Sequence, residues 1–220
     1  SSDVKFKELG LLVVDEEQRF GVRHKEKIKR FRASVHVLTL SATPIPRTLH
    51  MSLMGIRDLS LVNTPPADRR AVRTRLLPAN DYIIQEAVSR EIRRGGQVYI
   101  VHNRIETIYE YGLFLDSILP NVKIVIGHGQ MREEKLEKVM MEFIEGEYDI
   151  LLSTTIIESG LDIANANTII INNAHIFGLS QLYQLRGRVG RSNVQAYAYL
   201  LVPPDMILSG IANERLNVLL

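Results

Sequence analysis

Asp81-Tyr82-Ile83-Ile84-Gln85-Glu86-Ala87-Val88-Ser89-Arg90-Glu91-Ile92-Arg93-Arg94-Gly95-Gly96 lies between two apolar runs, at 71–77 and 97–102. Ile83, Ile84, Ala87, Val88 and Ile92 recur on one helical face, and Gly95-Gly96 offers a left-handed stop, so the spacing predicts a helix over 80–94. The alternation continues along the chain. Runs rich in Val, Ile and Leu predict further strands near 10–14, 35–40, 122–126, 149–153, 167–172 and 195–202. Leu136, Val139, Met140 and Phe143 share a face that Gly146 closes, which predicts a helix over 131–145. The expected fold class is α/β, a parallel sheet flanked by helices.

Asn63-Thr64-Pro65-Pro66-Ala67-Asp68 carries two prolines and no apolar period, and reads as a linker between two unequal units. Residues 67–205 hold six expected strands; residues 1–64 hold two, with a third suggested near 58–62. The first unit is expected to be the tail of a sheet whose earlier strands lie upstream, with the 10–14 run buried.

With 220 residues and 45% hydrophobic composition, the chain suits an ordinary globular protein. The absence of cysteine excludes disulfides and cysteine-ligated metal sites and is compatible with a reducing cytoplasm. The longest apolar runs are too short to span a bilayer, and no signal segment opens the chain, so no membrane partner is expected. A net charge of +2 argues for nothing by itself. The arginines and lysines do cluster, at 23–32, at Arg69, Arg70, Arg73 and Arg75, and at Arg186, Arg188 and Arg191, although solvated faces explain most such runs.

In Leu11-Leu12-Val13-Val14-Asp15-Glu16-Glu17-Gln18, a strand delivers adjacent carboxylates to its carboxyl end, where open α/β sheets bind ligands. Asp15 is suited to hold Mg²⁺ and Glu16 to orient or deprotonate an attacking water. Alone, the tetrapeptide reads equally well as a solvated acidic turn. In Ser41-Ala42-Thr43-Pro44, the hydroxyls of Ser41 and Thr43 are placed to relay changes at those carboxylates, or simply to cap a helix. Gln184-Leu185-Arg186-Gly187-Arg188-Val189-Gly190-Arg191 sets three guanidiniums around two glycines, as if backbone and arginines converged on a phosphate.

Asp-Glu-Glu-Gln, Ser-Ala-Thr-Pro and Gln-x-x-Gly-Arg-x-x-Arg, in this order, resemble motifs II, III and VI of superfamily-two helicases. Thr154-Thr155-Ile156-Ile157-Glu158-Ser159-Gly160-Leu161-Asp162 resembles motif V, and Val98-Tyr99-Ile100-Val101-His102-Asn103-Arg104 resembles motif IV. Asp15 to Val22 and Phe177 to Gln184 are similar to the bacterial transcription-repair coupling factor family, with RecG-type branch-migration helicases the nearest relative. The resemblance implies a RecA-like second lobe at 67–205, the C-terminal part of a first RecA-like lobe and linker at 1–66, and the start of a helical translocation element at 206–220. It further implies a cytoplasmic ATP-hydrolysing translocase on double-stranded DNA that acts on stalled RNA polymerase and engages excision-repair proteins through other domains.

By the same resemblance, Asp15 and Glu16 serve Mg²⁺ and water, and Arg188 and Arg191 reach the γ-phosphate of ATP. Gly160, Asp162 and Gln184 line the nucleotide, Thr154, His102, Asn103 and Arg104 face DNA phosphates, and Ser41 and Thr43 couple the two. Ala164 stands where the family has proline. No Gly-x-x-x-x-Gly-Lys-Ser/Thr occurs in the 220 residues, so the phosphate-binding loop is missing and the chain alone is expected to be inactive. Two other readings compete: a non-catalytic RecA-like module binding DNA or protein, and a metal hydrolase using Asp15, Glu16 and His24 or His36.

Overall fold

In a computed structural model of the chain, the described residues are 6–15, 20–21, 26, 28, 35–40, 60, 62, 64, 70–154, 163, 165–191 and 193–220. The chain divides into two compact units, Ser1–Val62 and Asn63–Leu220. In the first, β1 (Leu11–Asp15) pairs in parallel with β2 (His36–Leu40), Leu11 opposite His36 and Asp15 opposite Leu40. Successive side chains of a strand point to opposite faces. Val14 is buried, whereas Leu11, Val13, Leu38 and Leu40 on the other face are 45% to 55% exposed. The expectation of a buried 10–14 strand therefore holds for one face only. The strand suggested near 58–62 falls mostly outside the described residues.

The second unit runs β3 (Arg73–Pro78), α1 (Asp81–Arg93), β4 (Gln97–Val101), α2 (Ile108–Ile118), β5 (Ile124–Gly127), α3 (Glu133–Ile144), β6 (Ile150–Ser153), β7 (Ala166–Ile171), α4 (Leu179–Arg186), β8 (Tyr197–Val202) and α5 (Gly210–Asn217). Its six strands form one parallel sheet in the order β3-β8-β7-β4-β6-β5. Helices cover both faces. Val98 and Ile100 of β4 join Ile84 and Val88 of α1 and Ile108 and Leu115 of α2 in one core. Tyr99 and Val101, pointing the other way, join Val139 and Phe143 of α3 and Leu182 and Leu185 of α4 in a second. Burial on both faces is why the central strands read as unbroken apolar runs, each such side chain contributing roughly 1.5–3 kcal/mol.

Helix α1 starts where the Asn80 side chain accepts the Tyr82 N–H at 2.8 Å, and Gly95 follows its end at φ +76°. Helix α2 has a glycine in its middle because a Cβ at Gly112 would lie 2.9 Å from Ile126 Cδ1, so the helix packs close on β5. Ser209 caps α5, and Leu216 and Leu219 bury in the same core as α4. At the amino ends of the strands, Glu91 is 1% exposed, paired with Arg94 at 2.5 Å and accepting a hydrogen bond from the Thr168 hydroxyl. Among the described residues, no helix is long and apolar enough to cross a membrane.

Candidate functional site

The carboxyl ends of β4, β6 and β7 bring together residues far apart in sequence. The chain leaves β4 with the His102 N–H donating to Ser153 O at 2.8 Å, and the Asn172 N–H reaches Val101 O at 2.9 Å. The His102 ring is buried and stacks on Tyr111, centroids 4.8 Å apart at 17°. Asn172 Nδ2 lies 3.2 Å from its Nδ1, and Thr107 Oγ1 lies 2.8 Å from its Nε2. Burial, and secondarily the Arg104 charge, holds the imidazole below its ordinary pKa, so it is neutral near pH 7. The network assigns the tautomer: Nδ1 accepts from the Asn172 amide and Nε2–H donates to Thr107. Both ring nitrogens are engaged within the protein, and the imidazole fixes the turn that presents half-buried Asn103 and exposed Arg104.

These residues line an open cleft of about 370 Å³ with Asn173, His175, Ile176, Pro203 and Met206. Asn173 has φ 52°, a left-handed conformation that asparagine tolerates. Thr154, just past β6, is buried at 7% exposure and is not in the lining. A second histidine closes the end of β5, where His128 Nε2 meets the Tyr109 hydroxyl at 2.9 Å. Asn172, Thr107, Tyr111 and the Tyr109–His128 pair carried no motif; the one sequence signal was a polar pair, Asn172-Asn173, closing an apolar run.

Around α4, the guanidinium of Arg186 is engaged within the protein. Arg186 Nη1 donates to Leu219 O at 2.9 Å and its guanidinium lies 4.9 Å from the Tyr183 ring, which ties α4 to the end of α5. Arg188 is half-buried, Arg191 is exposed with Nε 3.4 Å from Gly187 O, and Gln184 is half-buried. Gly190 serves packing: its φ is +75°, and a Cβ would lie 2.8 Å from Val72 Cγ2 and 3.2 Å from Ala196 Cβ. A close approach of protein to protein is by itself enough to require this glycine.

In the first unit, Asp15 is exposed at the carboxyl end of β1. His36, opposite Leu11, is at the other end of the same two strands, about 13 Å away at 3.3 Å per residue. A metal centre shared by Asp15 and His36 is thereby excluded. Glu16, His24, Ser41, Thr43, Gly160 and Asp162 lie outside the described residues.

Comparison with known proteins agrees with this architecture. The transcription-repair-coupling factor of Myxococcus xanthus is 57% identical over 217 residues, 99% of this chain and 18% of that protein. That of Staphylococcus aureus (strain USA300) is 55% identical over 219 residues, 100% of this chain and 19% of that one. The chain thus spans about a fifth of the length of these relatives. RecG bound to a three-way DNA junction superposes with TM-score 0.77 at 40% identity, over 99% of this chain and 29% of that one. The model of the helicase conserved C-terminal domain matches residues 79–193, which hold β4 to β7, α1 to α4 and most of the cleft lining. The chain belongs to the family of the helicase conserved C-terminal domain, and its second unit has that domain's RecA-like fold.

Proposed function

We propose that the chain is part of an ATP-driven translocase on double-stranded DNA, one that acts on stalled RNA polymerase in transcription-coupled repair and works with excision-repair proteins through other parts of the full-length protein. The observation that carries this is the 57% identity to a transcription-repair-coupling factor over 217 residues. Residues 1–66 are assigned to the end of a first lobe, 67–205 to a second lobe and 206–220 to the start of a translocation element, with α5 anchored by Leu216 and Leu219.

The donor chemistry fits the expected ligands. Mg²⁺ takes one or two carboxylates together with phosphate oxygens and water, and Asp15 offers a carboxylate at a strand's carboxyl end. Mg²⁺–ATP, when bound, supplies the γ-phosphoryl group whose transfer to water drives movement. Glu16 orients the water and takes its proton, while Arg188 and Arg191 offset charge on the transferring group. Gln184, Gly160 and Asp162 hold the nucleotide, and Ser41 and Thr43 pass its state onward. Asn103 and Arg104 grip DNA phosphates, with His102 setting their position; Thr154, buried just past the end of β6, reaches a phosphate only once it is uncovered.

In the full-length protein, Glu16→Gln removes the base but keeps the shape, so ATP hydrolysis should fall to background while ATP-dependent DNA binding persists or tightens. Normal turnover in that variant shifts the base to another residue, such as Glu17. The similarity to RecG supports a second reading, branch migration. Displacement of a stalled polymerase without reversal of a three-way junction favours the first reading, and the opposite pair of results favours the second.

A further inference from the structure

The guanidiniums at the amino-terminal edge of the sheet are far from the cleft. β3 is an edge strand, in register with β8 so that Arg73 lies beside Tyr197 and Arg75 beside Tyr199. Residues in register on parallel strands point to the same face. Leu77 and its partner Leu201 both pack in the core under α1, so Arg73, Arg75, Tyr197 and Tyr199 are on that face too. Helix α1 brings Arg90 to the same place, its guanidinium 4.2 Å from the Tyr197 ring centroid and 5.7 Å from that of Tyr199.

Arg94 is already neutralised by Glu91. Among the described residues, Arg73, Arg75 and Arg90 have no carboxylate in ion-pair range; Arg73 and Arg75 are exposed, whereas Arg90 is half-buried and its Nη2 is buried without a hydrogen-bond partner. Three positive charges are thus held together without an internal counter-charge. Arg73 and Arg75 are about 7 Å apart along the strand, and Arg90 is held by its ring contacts.

We infer that this edge is a second phosphate-backbone contact for duplex DNA, separate from the cleft and formed by the exposed Arg73 and Arg75, with Arg90 adding positive charge from beneath, over the Tyr197 and Tyr199 rings. Arginine forks match phosphate oxygens bidentately. The chemistry of the patch favours nucleic acid over protein. A protein interface has an apolar centre, yet none of the exposed large apolar side chains among the described residues belongs to β3, β8 or the last turn of α1. The contact is distinct from the cleft because β8 begins beside Arg73 and Pro203, past its end, lines the cleft, about 20 Å along at 3.3 Å per residue. The inference rests on the nucleic-acid reading above, and the experiment separates the two.

Binding of the 220-residue chain to a mixed-sequence 20-base-pair duplex is measured across a salt series, with circular dichroism confirming that each variant is folded. R73Q/R75Q should lower the slope of log K against log salt by about 2, because each lost phosphate contact removes about 0.9. R73K/R75K should keep the slope, since charge survives, and R104Q should lower it independently by about 1. If R104Q lowers the slope and R73Q/R75Q leaves it unchanged, the second contact is refuted and the cleft stands. If the unaltered chain binds no duplex even at low salt, the nucleic-acid reading itself fails and this contact with it. Poly-glutamate serves as the other probe: capture dependent on Arg73 and Arg75, with duplex binding unaffected by them, assigns the edge to an acidic protein surface and overturns the proposal.

Discussion

Replacing Gly96 by alanine should destabilise the second unit more than the same change at the adjacent Gly95, although Gly95 alone has a positive φ. At Gly96 a Cβ would lie 1.9 Å from Glu91 Oε1, 2.8 Å from Glu91 Cδ and 3.2 Å from Asn165 O. The Glu91 carboxylate has little room to yield, being buried, paired with Arg94 and hydrogen-bonded by Thr168. Breaking a buried pair costs about 3–5 kcal/mol, and the 27% exposure of the Arg94 side chain lets water recover part of that, so about 3 kcal/mol is expected. At Gly95 nothing lies within 4 Å of the added Cβ, and only the left-handed backbone, φ +76°, is penalised, by about 1 kcal/mol. Urea denaturation followed by circular dichroism gives both values, with a matching Tm loss of about 6–12 °C for Gly96→Ala. A double-mutant cycle supplies the decisive comparison. With Glu91→Ala already present, Gly96→Ala should cost about 1 kcal/mol or less, since only the Asn165 carbonyl still crowds the methyl. Equal costs at Gly95 and Gly96, or an undiminished Gly96 cost without Glu91, would show that the Glu91 carboxylate is not what excludes the methyl.

Three further outcomes are expected. Because His102 is held neutral by burial and by Arg104, its folded pKa is below the unfolded value of 6.5; the unfolded chain binds the extra proton, and stability should decline as pH falls below about 6.5. His102→Gln should flatten that decline in urea titrations at pH 5.5 and 7.5, and an unchanged pH dependence would remove His102 as its source. The 220-residue chain alone, without a phosphate loop, should release no phosphate from ATP above background with or without duplex DNA. DNA-stimulated release that Glu16→Gln abolishes would show that it builds a complete ATP site.

Sequence periodicity carried most of the sheet, because two-sided burial writes itself as runs such as Gln97–Val101 and Ala166–Ile171, each bounded by polar or glycine residues. Helices α1 and α3 were legible for the same reason. Helix α2 was not, since Gly112 in its middle argues against a helix locally and is explained only by Ile126 on a strand packed against it. The motif residues Asp15, Arg188 and Arg191 were visible as a linear pattern. The Asn172–His102–Thr107 network was not, because its members are as many as 70 residues apart and meet only after β4 and β7 pair. The tie from Arg186 to Leu219 and the packing of Val72 against Gly190 were not legible, because both partners are remote along the chain.

The proposed part of this chain in an ATP-hydrolysing motor stands or falls on DNA-stimulated phosphate release from the full-length protein carrying Arg191→Ala. The guanidinium is assigned to charge that develops during phosphoryl transfer, so kcat should fall by about 10³-fold or more while nucleotide affinity drops only modestly. Steady-state hydrolysis within a few-fold of the unaltered protein would contradict the assignment.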